Sequence, residues 1–539
     1  MRLVTSYCLL TLYFLLLSEN NFPSTGGLES REDPVACDLP GRSVVLTSHR
    51  VLLAVALLVL AAAVACGSGG GISLPNPQGN FSNASLNGSY VYEIHGFDTT
   101  VGNPYRQIGV FTADGNGNIT GGSDDSSFSA TGTSVTGSYM IAKDGTGLIT
   151  INTSLGSITL AVTLASTSRL QLIESDAFVN AGGSAELQSP SATSATPNGT
   201  YVFRLHQEVS AQSQAPAAEV GDLSISSGSA TGSMDENHAG VFSSPNVTAT
   251  FGTPSGLGRG TGTLVNSTTN FTTNFVYYIV DGNTFVLLVT NVNAVGSGRA
   301  EMQSGSVGNG LSGNYAFGSR GDHSTFFAGI ATVGQFNAAS GALTVTLDSS
   351  QDGTISSNAN FSFCYTAAAN GRVLVKDLSG NTCSNTVEQA FWMVNPGRAF
   401  FVNAGGGSVE DGTADQQQSQ NFLLSTFTQQ YSIAMVGWDV FTQSAELLSR
   451  VGTLQFDGAG KLTLNEVVNA SGSGAGAQIP TGGLLRGTYS TTSNGRIVGS
   501  LSNSGGALNL VLYAVSGSEA YVLQTDPGSF TSGMIQLQQ

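Results

Sequence analysis

The sequence predicts an all-β protein built from four tandem antiparallel modules of about 110 residues each. Three observations support this prediction. An opening strand with the same tyrosine recurs four times, glycine-containing turns separate short apolar runs along the chain, and no long segment shows the 3.6-residue period of an amphipathic helix. Glycine contributes 70 of 539 residues and charged residues only 10%, a composition that also disfavours coiled coils and helical repeats.

The charge balance limits the classes of partner. The chain has 18 Lys and Arg against 35 Asp and Glu, which gives a formal net charge of −17, and only three of its cationic residues are lysines. Nucleic-acid binding requires a basic surface that neutralises phosphates. We therefore expect no nucleic-acid partner.

Two apolar runs, residues 8–17 and 51–65, precede the predicted modules. The second run is short for a membrane span, which needs about 20 residues, and it suits the apolar core of a signal peptide. We expect residues 1–65 to be a leader, with residues 1–45 either an upstream extension from a misassigned start or part of an extended leader. The alternatives for the second run are a short buried helix and an ordinary secretory signal.

The second run ends in Ala63-Val-Ala-Cys66-Gly67, which resembles the lipobox of bacterial lipoproteins, with Ala63 where leucine is usual. The resemblance implies cleavage before Cys66, a diacylglycerol on its thiol, and attachment to the membrane through that lipid anchor. Gly67 in place of Asp implies sorting to the outer membrane or cell surface; the alternative is a periplasmic or secreted protein. Residues 66–85 then comprise the lipidated cysteine and a flexible linker rich in Gly, Ser and Asn.

The four modules open and close alike. Their opening tyrosines, spaced by 111, 114 and 116 residues, are Tyr90, Tyr201, Tyr315 and Tyr431. Each module closes on a glutamine, in Ala185-Glu-Leu-Gln188, Ala300-Glu-Met-Gln303, Ala414-Asp-Gln-Gln417 and Met534-Ile-Gln-Leu-Gln538. We place the modules at residues 86–190, 191–304, 305–418 and 419–539.

Each module reads as a series of hairpins. In the first module about eight strands are predicted, near residues 89–95, 107–112, 118–121, 134–142, 148–152, 158–164, 169–174 and 183–187. Asp-Gly pairs such as Asp114-Gly115 and Asp144-Gly145 supply the positive φ that tight hairpin turns need. Residues 443–450 are the one stretch expected to form a helical turn or two. The third module lacks the Asp-Gly-x-Gly hairpin, so its structural equivalence to the other three modules is open.

Short connections imply that successive strands are antiparallel neighbours. Eight such strands fit a small up-and-down, lipocalin-like barrel, and closure removes the sheet edges of a lysine-poor chain. A two-sheet β-sandwich is the alternative for each module.

The combined pattern resembles a family of proteins. N-G-x-Y-x-F, then G-x-F-x-x-D-G-x-G-x-I, a D/N-G-R/T turn and a closing glutamine are similar to the tandem repeats of uncharacterised secreted lipoproteins of environmental Gram-negative bacteria. The resemblance covers residues 86–539, and it implies an exported β-rich lipoprotein without catalytic residues to carry over. The second module keeps Gly232-Ser-Met-Asp235-Glu-Asn237-His-Ala-Gly240, close to the G-x-x-D-x-N-x-x-G stretch of the family, and the other modules depart from it.

The cysteines agree with export. Without residues 1–65, three cysteines remain, Cys66, Cys364 and Cys383. The last two are 19 residues apart with a turn at Asn370-Gly371-Arg372 between them, so a cross-strand disulfide is plausible in an oxidising compartment; two free thiols are the alternative. The sequence contains no Cys-x-x-Cys and no His pair at zinc-ligand spacing, and we expect no metal or other cofactor.

Catalytic motifs are absent from the sequence, which has no Gly-x-Ser-x-Gly, no His-Glu-x-x-His and no Walker loop. We interpret His95, His206, His238 and His323 as surface or strand residues. Trp438 and Tyr521 are candidates for a sugar- or lipid-binding mouth, but core packing explains them more simply. The tripeptide Arg320-Gly321-Asp322 is interpreted as chance.

Acidic clusters are interpreted as turns and loops. Asp114-x-Asn116-x-Asn118 lacks the sixth-position glycine and the bidentate glutamate of a calcium loop, so a hairpin turn is preferred. Asp235-Glu236-Asn237 is interpreted as a solvated loop, with calcium binding as the alternative. Asp124 and Asp125 would point to opposite faces of a strand, which excludes them as a glycosidase pair.

Three functions are considered from these observations. The first is a lipid-anchored envelope protein of unknown activity, a non-enzymatic repeat array for surface interaction or structure, with an envelope protein, a glycan or a small apolar molecule as its partner. The second is binding of a small hydrophobic ligand or glycan inside individual barrels. The third is a polysaccharide hydrolase, which would need two carboxylates facing one cleft.

Overall fold

A computed structural model describes residues 79–99, 103–175, 178–209, 215–323, 329–379, 382–441, 444–472 and 481–539. These residues belong to one compact unit, Pro75–Gln539. The predicted leader, Cys66 and most of the linker lie outside the described residues. None of the described residues lies in a helix with the length and apolar character of a membrane span.

The described residues form four β-barrels in chain order. Strands of barrel 1, which follows the 3₁₀ turn Asn83–Ser85, are β1 (Asn87–Asp98), β2 (Pro104–Asp114), β3 (Asn118–Ser126), β4 (Ser129–Ser134), β5 (Thr136–Ile141), β6 (Thr146–Thr153), β7 (Gly156–Ser166), β8 (Arg169–Glu174) and β9 (Val179–Leu187). Strands of barrel 2 are β10 (Gly199–Val209), β11 (Ala215–Ser226), β12 (Ser229–His238), β13 (Val241–Ser243), β14 (Asn246–Phe251), β15 (Arg259–Asn266), β16 (Thr272–Asp281), β17 (Thr284–Val289) and β18 (Ala294–Met302).

The second half of the chain repeats this arrangement. Strands of barrel 3 are β19 (Gly313–His323), β20 (Gly329–Ala339), β21 (Ala342–Gln351), β22 (Thr354–Ala367), β23 (Arg372–Ser379), β24 (Thr382–Asn395), β25 (Arg398–Asn403) and β26 (Ser408–Gln416). Strands of barrel 4, which follows the 3₁₀ turn Leu424–Thr426, are β27 (Gln430–Phe441), β28 (Ser444–Phe456), β29 (Lys461–Gly472), β30 (Thr481–Thr491), β31 (Arg496–Asn503), β32 (Gly506–Ala514), β33 (Glu519–Gln524) and β34 (Ser532–Leu537).

Each barrel is an antiparallel meander that closes when its first strand pairs with its last. In barrels 3 and 4 the described strands form a closed ring of eight. In barrels 1 and 2 eight strands close in the same order, and the short β4 and β13 pair with β3 and β12 as additions. The predicted up-and-down barrel is therefore confirmed, and the alternative of a β-sandwich is wrong.

Local predictions differ from the structure in two places. Residues 443–450, expected to turn helically, belong largely to strand β28, because their neighbours on β27 and β29 complete a sheet around them. The single strand expected at residues 134–142 is divided between the end of β4 and β5. The third module forms the same kind of barrel as the others. Its β20–β21 hairpin turns at Ser340 and Gly341, with φ of 52° and 82°, without an Asp-Gly pair.

The barrel interiors are filled by the protein's own side chains. In barrel 1 the inward residues of β1, Tyr90, Tyr92 and Ile94, are at most 1% exposed and pack with Phe111. Barrels 2, 3 and 4 have corresponding apolar cores. The repeated tyrosine closes one end of each barrel, because its hydroxyl donates to a carbonyl in the turn that joins the third-last strand to the second-last strand. These bonds are Tyr90 to Thr167, Tyr201 to Gly282, Tyr315 to Pro396 and Tyr431 to Gly517.

The four barrels pack side by side into a closed ring. Apolar clusters join barrel 1 to barrel 2, barrel 2 to barrel 3 and barrel 3 to barrel 4. A smaller cluster joins barrel 4 back to barrel 1 through Ala161, Ile173, Ala434 and Val451. Each module therefore has its own core, but the four modules also pack against one another through apolar interfaces.

The closing glutamine of each module holds the next barrel of the ring. Gln188 donates from its side-chain amide to the carbonyls of Leu257 and Ile279 in barrel 2, at 3.0 and 2.7 Å. Its equivalents each donate to two carbonyls in the next barrel in the same way: Gln303 to Asn370 and Met393, Gln417 to Asn494 and Ala514, and Gln538 to Asp144 and Leu164. The repeated glutamine thus binds a glycine turn of the next barrel, which is Asn-Gly-Arg or Asp-Gly-Thr in three barrels and Leu257-Gly258-Arg259 in barrel 2.

Three of the four interfaces contain a buried aspartate clamp. Asp125, which is 0% exposed, accepts hydrogen bonds from Arg259 at 2.7 and 2.9 Å and from the Tyr278 hydroxyl at 2.6 Å. The equivalent clamps are Asp235 with Arg372 and Trp392, and Asp348 with Arg496 and Tyr513.

The interface between barrels 4 and 1 replaces this clamp with amide contacts. Val467 holds the register position of the aspartate in β29. Asn180 donates to the carbonyls of Leu447 and Asn469, both at 2.9 Å, and Asn469 donates back to the carbonyls of Glu174 and Val179. Ring closure therefore uses different chemistry from the contacts between consecutive barrels.

A disulfide lies within barrel 3. It joins Cys364 on β22 to Cys383 on β24, with the Cα atoms 5.8 Å apart. The strand between them, β23, starts at Arg372, which belongs to the clamp with barrel 2. The disulfide thus lies in a sheet that also contributes to the ring.

Candidate functional site

The centre of the ring encloses a cavity of about 360 Å³, a volume at the lower end of the range for small-molecule sites. It is lined mainly by the first and last strands of all four barrels. Their side chains alternate between core and cavity, so that in β1 Tyr92 and Ile94 point into the barrel whereas Glu93 and His95 line the cavity. The charged and histidine residues of the lining are Glu93, His95, Arg106, Arg169, Glu186, Arg204, His206, Glu208, Arg299, Arg320, Asp322, Arg398, Asp411 and Glu519.

Arginines are concentrated at this cavity. Six of the eleven arginines from residue 79 onward line it, in a chain of which only 10% is charged. Three of the others, Arg259, Arg372 and Arg496, belong to the clamps between barrels. The protein therefore places most of its scarce positive charge between the barrels, where burial makes each charge costly unless it is paired.

On one side of the cavity the last strands of the four barrels carry a row of three acidic residues and one glutamine, at the register position one residue after each repeated tyrosine: Glu186, Glu301, Asp415 and Gln536. Arginines link the row across the barrels. Arg299 pairs with Glu186 and Glu301, both at 2.7 Å, and Arg398 pairs with Glu301 at 2.8 Å and Asp415 at 2.7 Å. Burial opposes ionisation of Glu186, but the cations of Arg299 and Arg169 lower its pKa to about 2.

The row continues into barrel 4 through Tyr521, whose hydroxyl donates to Asp415 at 2.5 Å. This approach requires Gly318, because a Cβ atom there would lie 2.5 Å from the Tyr521 ring. The ion-pair chain ends at barrel 4, where Gln536 takes the fourth position and donates to Glu519 at 3.1 Å. Among the described residues, Nε of Arg169 has no hydrogen-bond partner at this end of the row.

A second group of residues, here named the His95 cluster, consists of His95, Arg106, Arg204, His206 and Arg320. It draws on barrels 1, 2 and 3. His206 lies between two carboxylates: its Nδ1 is 2.8 Å from Asp411 and its Nε2 is 2.9 Å from Asp322. Burial alone would lower the pKa of His206, but these hydrogen bonds raise it to about 10, so its imidazole is a cation at neutral pH.

Asp411 is the anionic centre of the cluster. It accepts from His206 and, at 2.9 Å, from Arg204. Burial works against its ionisation, yet the His206 hydrogen bond and the Arg204 charge lower its pKa to about 2. Asp411 is therefore fully engaged as a counter-ion.

His95 has the opposite protonation state from His206. Its Nε2 accepts a hydrogen bond from the Arg320 guanidinium, which brings barrels 1 and 3 into contact across the cavity. Burial, together with the Arg320 and Arg106 cations, lowers the pKa of His95 well below its usual value. Burial and the neighbouring Arg204 lower the pKa of Arg320 itself to about 10.

Two glutamates near the cluster have a raised pKa. Burial raises the pKa of Glu93, which accepts from Ser297 at 3.0 Å. Burial and the charge of Asp322 raise the pKa of Glu208 to about 7. At neutral pH Glu208 therefore offers only part of its negative charge to the arginines.

Aromatic side chains border the charged region. Phe97 of barrel 1 and Trp438 of barrel 4 meet edge to face, with ring centroids 4.7 Å apart, and both line the cavity. The cavity therefore combines cations, carboxylates, hydroxyls and an aromatic wall, the combination that small polar ligands require for binding and orientation.

The structure brings several residues that the sequence analysis treated separately to one cavity, with His95 on β1 and His206 on β10 in the strands where they were expected. His95 and His206 line the shared cavity, as does the tripeptide Arg320-Gly321-Asp322, and Trp438 and Tyr521 border it as well as packing between barrels. The sequence pointed to no such polar cluster, because its members come from different modules. A signal was present: in the first three modules the outward positions after the repeated tyrosine include charged residues, in a chain that has few.

The acidic clusters have separate outcomes. Asp114 accepts from the backbone amides of Asn116 and Asn118, which confirms the hairpin turn. Asp124 binds Tyr92 and Gln107 within barrel 1 while Asp125 faces barrel 2, so the two carboxylates do point to opposite faces.

The interpretation of Asp235-Glu236-Asn237 as a solvated loop is wrong. These residues lie on β12, and Asp235 and Asn237 are 0% exposed. Asp235 belongs to the clamp with Arg372, and Asn237 donates to the carbonyls of Asn403 and Ser408 in barrel 3. In the described part of the chain, no group of three His, Cys, Asp or Glu side chains is arranged to hold a metal ion.

Comparisons with known proteins give little. No family model and no curated protein sequence matches the chain. Among solved structures, it is similar to the isotype 1 transferrin binding protein B (TbpB) from serogroup B Neisseria meningitidis, with 9% identity and a TM-score of 0.18 over 68% of this chain and 83% of that chain. A TM-score this low carries no conclusion about this protein, and the resemblance to tandem-repeat lipoproteins stays a prediction.

Proposed function

We propose that this protein is a lipid-anchored cell-envelope protein that binds a small polar ligand, without transforming it, in the cavity enclosed by its four barrels. The observation that carries the proposal is the convergence of charged side chains from all four barrels on one cavity of about 360 Å³. Burying charges in this way is costly for folding. A site that retains such charges is a candidate for function.

The packing of the barrels favours the shared cavity over the individual barrels as the binding site. The inward positions of each barrel hold tyrosine, phenylalanine, leucine and isoleucine, most of them fully buried. A ligand inside a barrel would have to displace these side chains. The cavity between the barrels needs no such displacement.

The ion pairs of Glu186 and Asp411 make these two carboxylates unsuited to hydrolysis. The two cavity carboxylates whose pKa falls to about 2, Glu186 and Asp411, are held by arginine or histidine cations. Carboxylates neutralised in this way are poor general acids and bases at neutral pH. They serve instead to fix the positions of the cations around the cavity.

Ligand binding is tested by identifying what the purified protein retains. Small molecules released on denaturation are measured by mass spectrometry for the wild type and for Ser184→Phe, which adds volume to the cavity wall at a residue facing Glu93 across the sheet. The matched control is Ser138→Phe, on the exposed face of β5 in the same barrel. We expect a bound molecule in the wild type and the control and its loss from Ser184→Phe; equal retention by all three would contradict the proposal.

The lipid anchor is tested at Cys66. Metabolic labelling with a radioactive fatty acid is expected to mark the wild type and Cys37→Ser, and to fail with Cys66→Ser. Mass spectrometry of the mature amino terminus is expected to start at Cys66. Peptides derived from residues 1–45 in the mature protein, or labelling that survives Cys66→Ser, would contradict the assignment.

A further inference from the structure

We propose that the His95 cluster recognises the carboxylate of a small hydroxylated organic acid, which is held by the guanidinium groups of Arg106 and Arg320. This inference rests on the proposed function and specifies the ligand of that cavity. It follows from the pairing of each arginine, from the local charge, and from the other groups within the same cavity.

The pairing of the cavity arginines is uneven. Arg204, Arg299 and Arg398 each have a carboxylate within 3 Å. In the described part of the chain, three cavity arginines, Arg106, Arg169 and Arg320, have no carboxylate within 4 Å, and of these only Arg106 and Arg320 belong to the His95 cluster. Arg106 and Arg320 therefore form no direct ion pair among the described residues, although Asp411 and Glu93 act on Arg320, and Glu93 and Glu208 on Arg106, from a longer distance.

Arg106 is buried in spite of this. It is 7% exposed, and its Nη1 donates to the carbonyls of Gly96 and Tyr105 at 3.3 and 3.0 Å. Arg320 is bonded to the neutral acceptor His95 and, at 3.5 Å, to the carbonyl of Val436. Carbonyls and an imidazole orient a guanidinium but do not neutralise it, so an anion in the cavity would remove an electrostatic cost.

His95 places the two arginines with respect to each other. It faces Arg106 across the β1–β2 ladder, and its Nε2 accepts from Arg320. Because Nε2 accepts, the imidazole proton lies on Nδ1 and the ring adds no charge. The guanidinium groups of Arg106 and Arg320 thus both lie next to the neutral His95 imidazole. This arrangement suits the two oxygens of a carboxylate, which arginine binds in a bidentate manner.

The surrounding charge favours a single negative charge on the ligand. Four acidic residues, Glu93, Glu208, Asp322 and Asp411, share the same part of the cavity. A phosphate dianion would be repelled by those that are ionised, whereas a monocarboxylate could bind both Arg106 and Arg320 with less repulsion.

The rest of the cavity suits a ligand with hydroxyl groups. Ser297, Ser319, Thr332 and Thr413 present hydroxyls to the lining, and Trp438 supplies an aromatic surface of the kind that packs against the apolar face of a sugar ring. Acidic side chains accept hydrogen bonds from ligand hydroxyls. A sugar acid combines all the groups that this lining matches.

Isothermal titration calorimetry of the purified full chain at pH 7 tests the inference, with D-galacturonate and D-gluconate as sugar acids and with galactose, succinate and inorganic phosphate as comparison ligands. We expect at least one sugar acid to bind ~tenfold or more tightly than galactose, succinate or phosphate. Ring and open-chain acids are distinguished by which of the first two binds. Absence of binding by both sugar acids, or equal binding of phosphate, overturns the inference.

Variants locate the site. Arg106→Gln and Arg320→Gln are each expected to weaken sugar-acid binding ~tenfold or more, and Arg320→Lys to recover part of it, since a lysine restores the charge without the fork. Arg486→Gln, on the exposed side of barrel 4, is the matched control and is expected to bind like the wild type. Circular dichroism confirms that each variant is folded, and unchanged affinity in both folded Gln variants overturns the inference.

The experiment separates this inference from the proposed function. If galactose or phosphate binds, and Ser184→Phe abolishes that binding, the cavity is a ligand site and only the carboxylate assignment is overturned. If no molecule is retained by the purified protein and no test ligand binds, both proposals are overturned.

Discussion

The side-chain amide of Gln538 donates a 2.7 Å hydrogen bond to the backbone carbonyl of Leu164, 374 residues earlier in the chain. Through this contact Gln538 of barrel 4 holds the first barrel. The backbone amide of Gln539 donates to the Ala165 carbonyl at 2.8 Å, as the residue after the closing glutamine does at the other three interfaces. Gln538 and Gln539 thus contribute to ring closure together with the Asn180 and Asn469 contacts.

Removing the closing side chain is expected to weaken the ring. Gln538→Ala leaves the carbonyls of Asp144 and Leu164 without their amide donor, at a cost of about 1–2 kcal/mol in free energy of unfolding. Guanidinium unfolding, followed by tryptophan fluorescence, measures the effect. Gln429→Ala, at the exposed neighbour of β27, is the control and should cost less than about 0.5 kcal/mol. Equal stability of the two variants would show that the glutamine contact does not hold the ring.

Each aspartate clamp is expected to contribute more to the free energy of unfolding than a closing glutamine does. Asp235→Ala leaves the Arg372 guanidinium and the Trp392 indole N–H at a buried interface without their acceptor, which is expected to cost about 3–5 kcal/mol. Chemical denaturation compares it with Asp377→Ala on an exposed part of β23. The double variant Asp235→Ala/Arg372→Met should recover part of the loss, because it removes the orphaned cation. A loss no larger than that of the control would refute the clamp.

Stability is expected to fall as the pH rises from about 5 to 9. Burial raises the pKa of Asp124 to about 6 and that of Glu219 to about 8, and the Asp322 and Asp411 hydrogen bonds raise the pKa of His206 to about 10 despite its burial. All three groups hold a proton in the folded state at pH values where the unfolded chain releases it. Protons bound preferentially by the folded state make the free energy of unfolding decrease with pH.

Below about pH 4 the trend reverses, because Glu186 and Asp411, whose pKa values fall to about 2 beside their cations, must then be protonated. Denaturant titrations at intervals from pH 3 to pH 9 are expected to give a maximum near pH 5. Glu219→Gln mimics the protonated carboxyl and should flatten the decline between pH 5 and 8. A wild-type profile that rises steadily to pH 9 would be inconsistent with these buried groups.

Arg320, one of the cavity arginines without an ion pair, is expected to reduce the stability of the protein when no ligand is bound. Arg320→Gln removes a cation that lies near Arg204 and Arg106, so the ligand-free variant should be as stable as the wild type or more stable, by up to about 1 kcal/mol. Thermal unfolding of ligand-free protein provides the measurement. A loss of more than about 2 kcal/mol would mean that Arg320 has a structural role instead.

The barrel architecture could be predicted because its determinants are local. The hairpin turns at Asp114-Gly115 and Asp144-Gly145 fix antiparallel neighbours, and the alternation around Tyr90 fixes the inward face of the first strand. The closing glutamines were recognised in the sequence as markers of module ends, but their contacts with the next barrel were not predicted. Gln188 binds a turn in the next module, and periodicity within one module carries no information about such a contact.

The cavity could not be predicted for the same physical reason. The outward face of an isolated barrel is a solvent-exposed face, so His95, Arg204 and Arg320 look like ordinary surface residues until the ring buries them. Asp235 was likewise interpreted as part of a loop, although it is 0% exposed against barrel 3. Charged residues on an outward face in a charge-poor chain are the sequence signal that could have indicated a buried assembly.

The most direct test of the ring is a cross-link between its two ends. Asn180 of barrel 1 and Asn469 of barrel 4 are 289 residues apart, yet the side-chain nitrogen of Asn180 lies 2.9 Å from the backbone oxygen of Asn469. We expect the pair Asn180→Cys/Asn469→Cys to form an intrachain disulfide, detected by peptide mapping of the monomer, and Asn180→Cys/Asn360→Cys to form none. Absence of that intrachain link, or linkage between chains only, would contradict a closed ring of four barrels around a shared cavity.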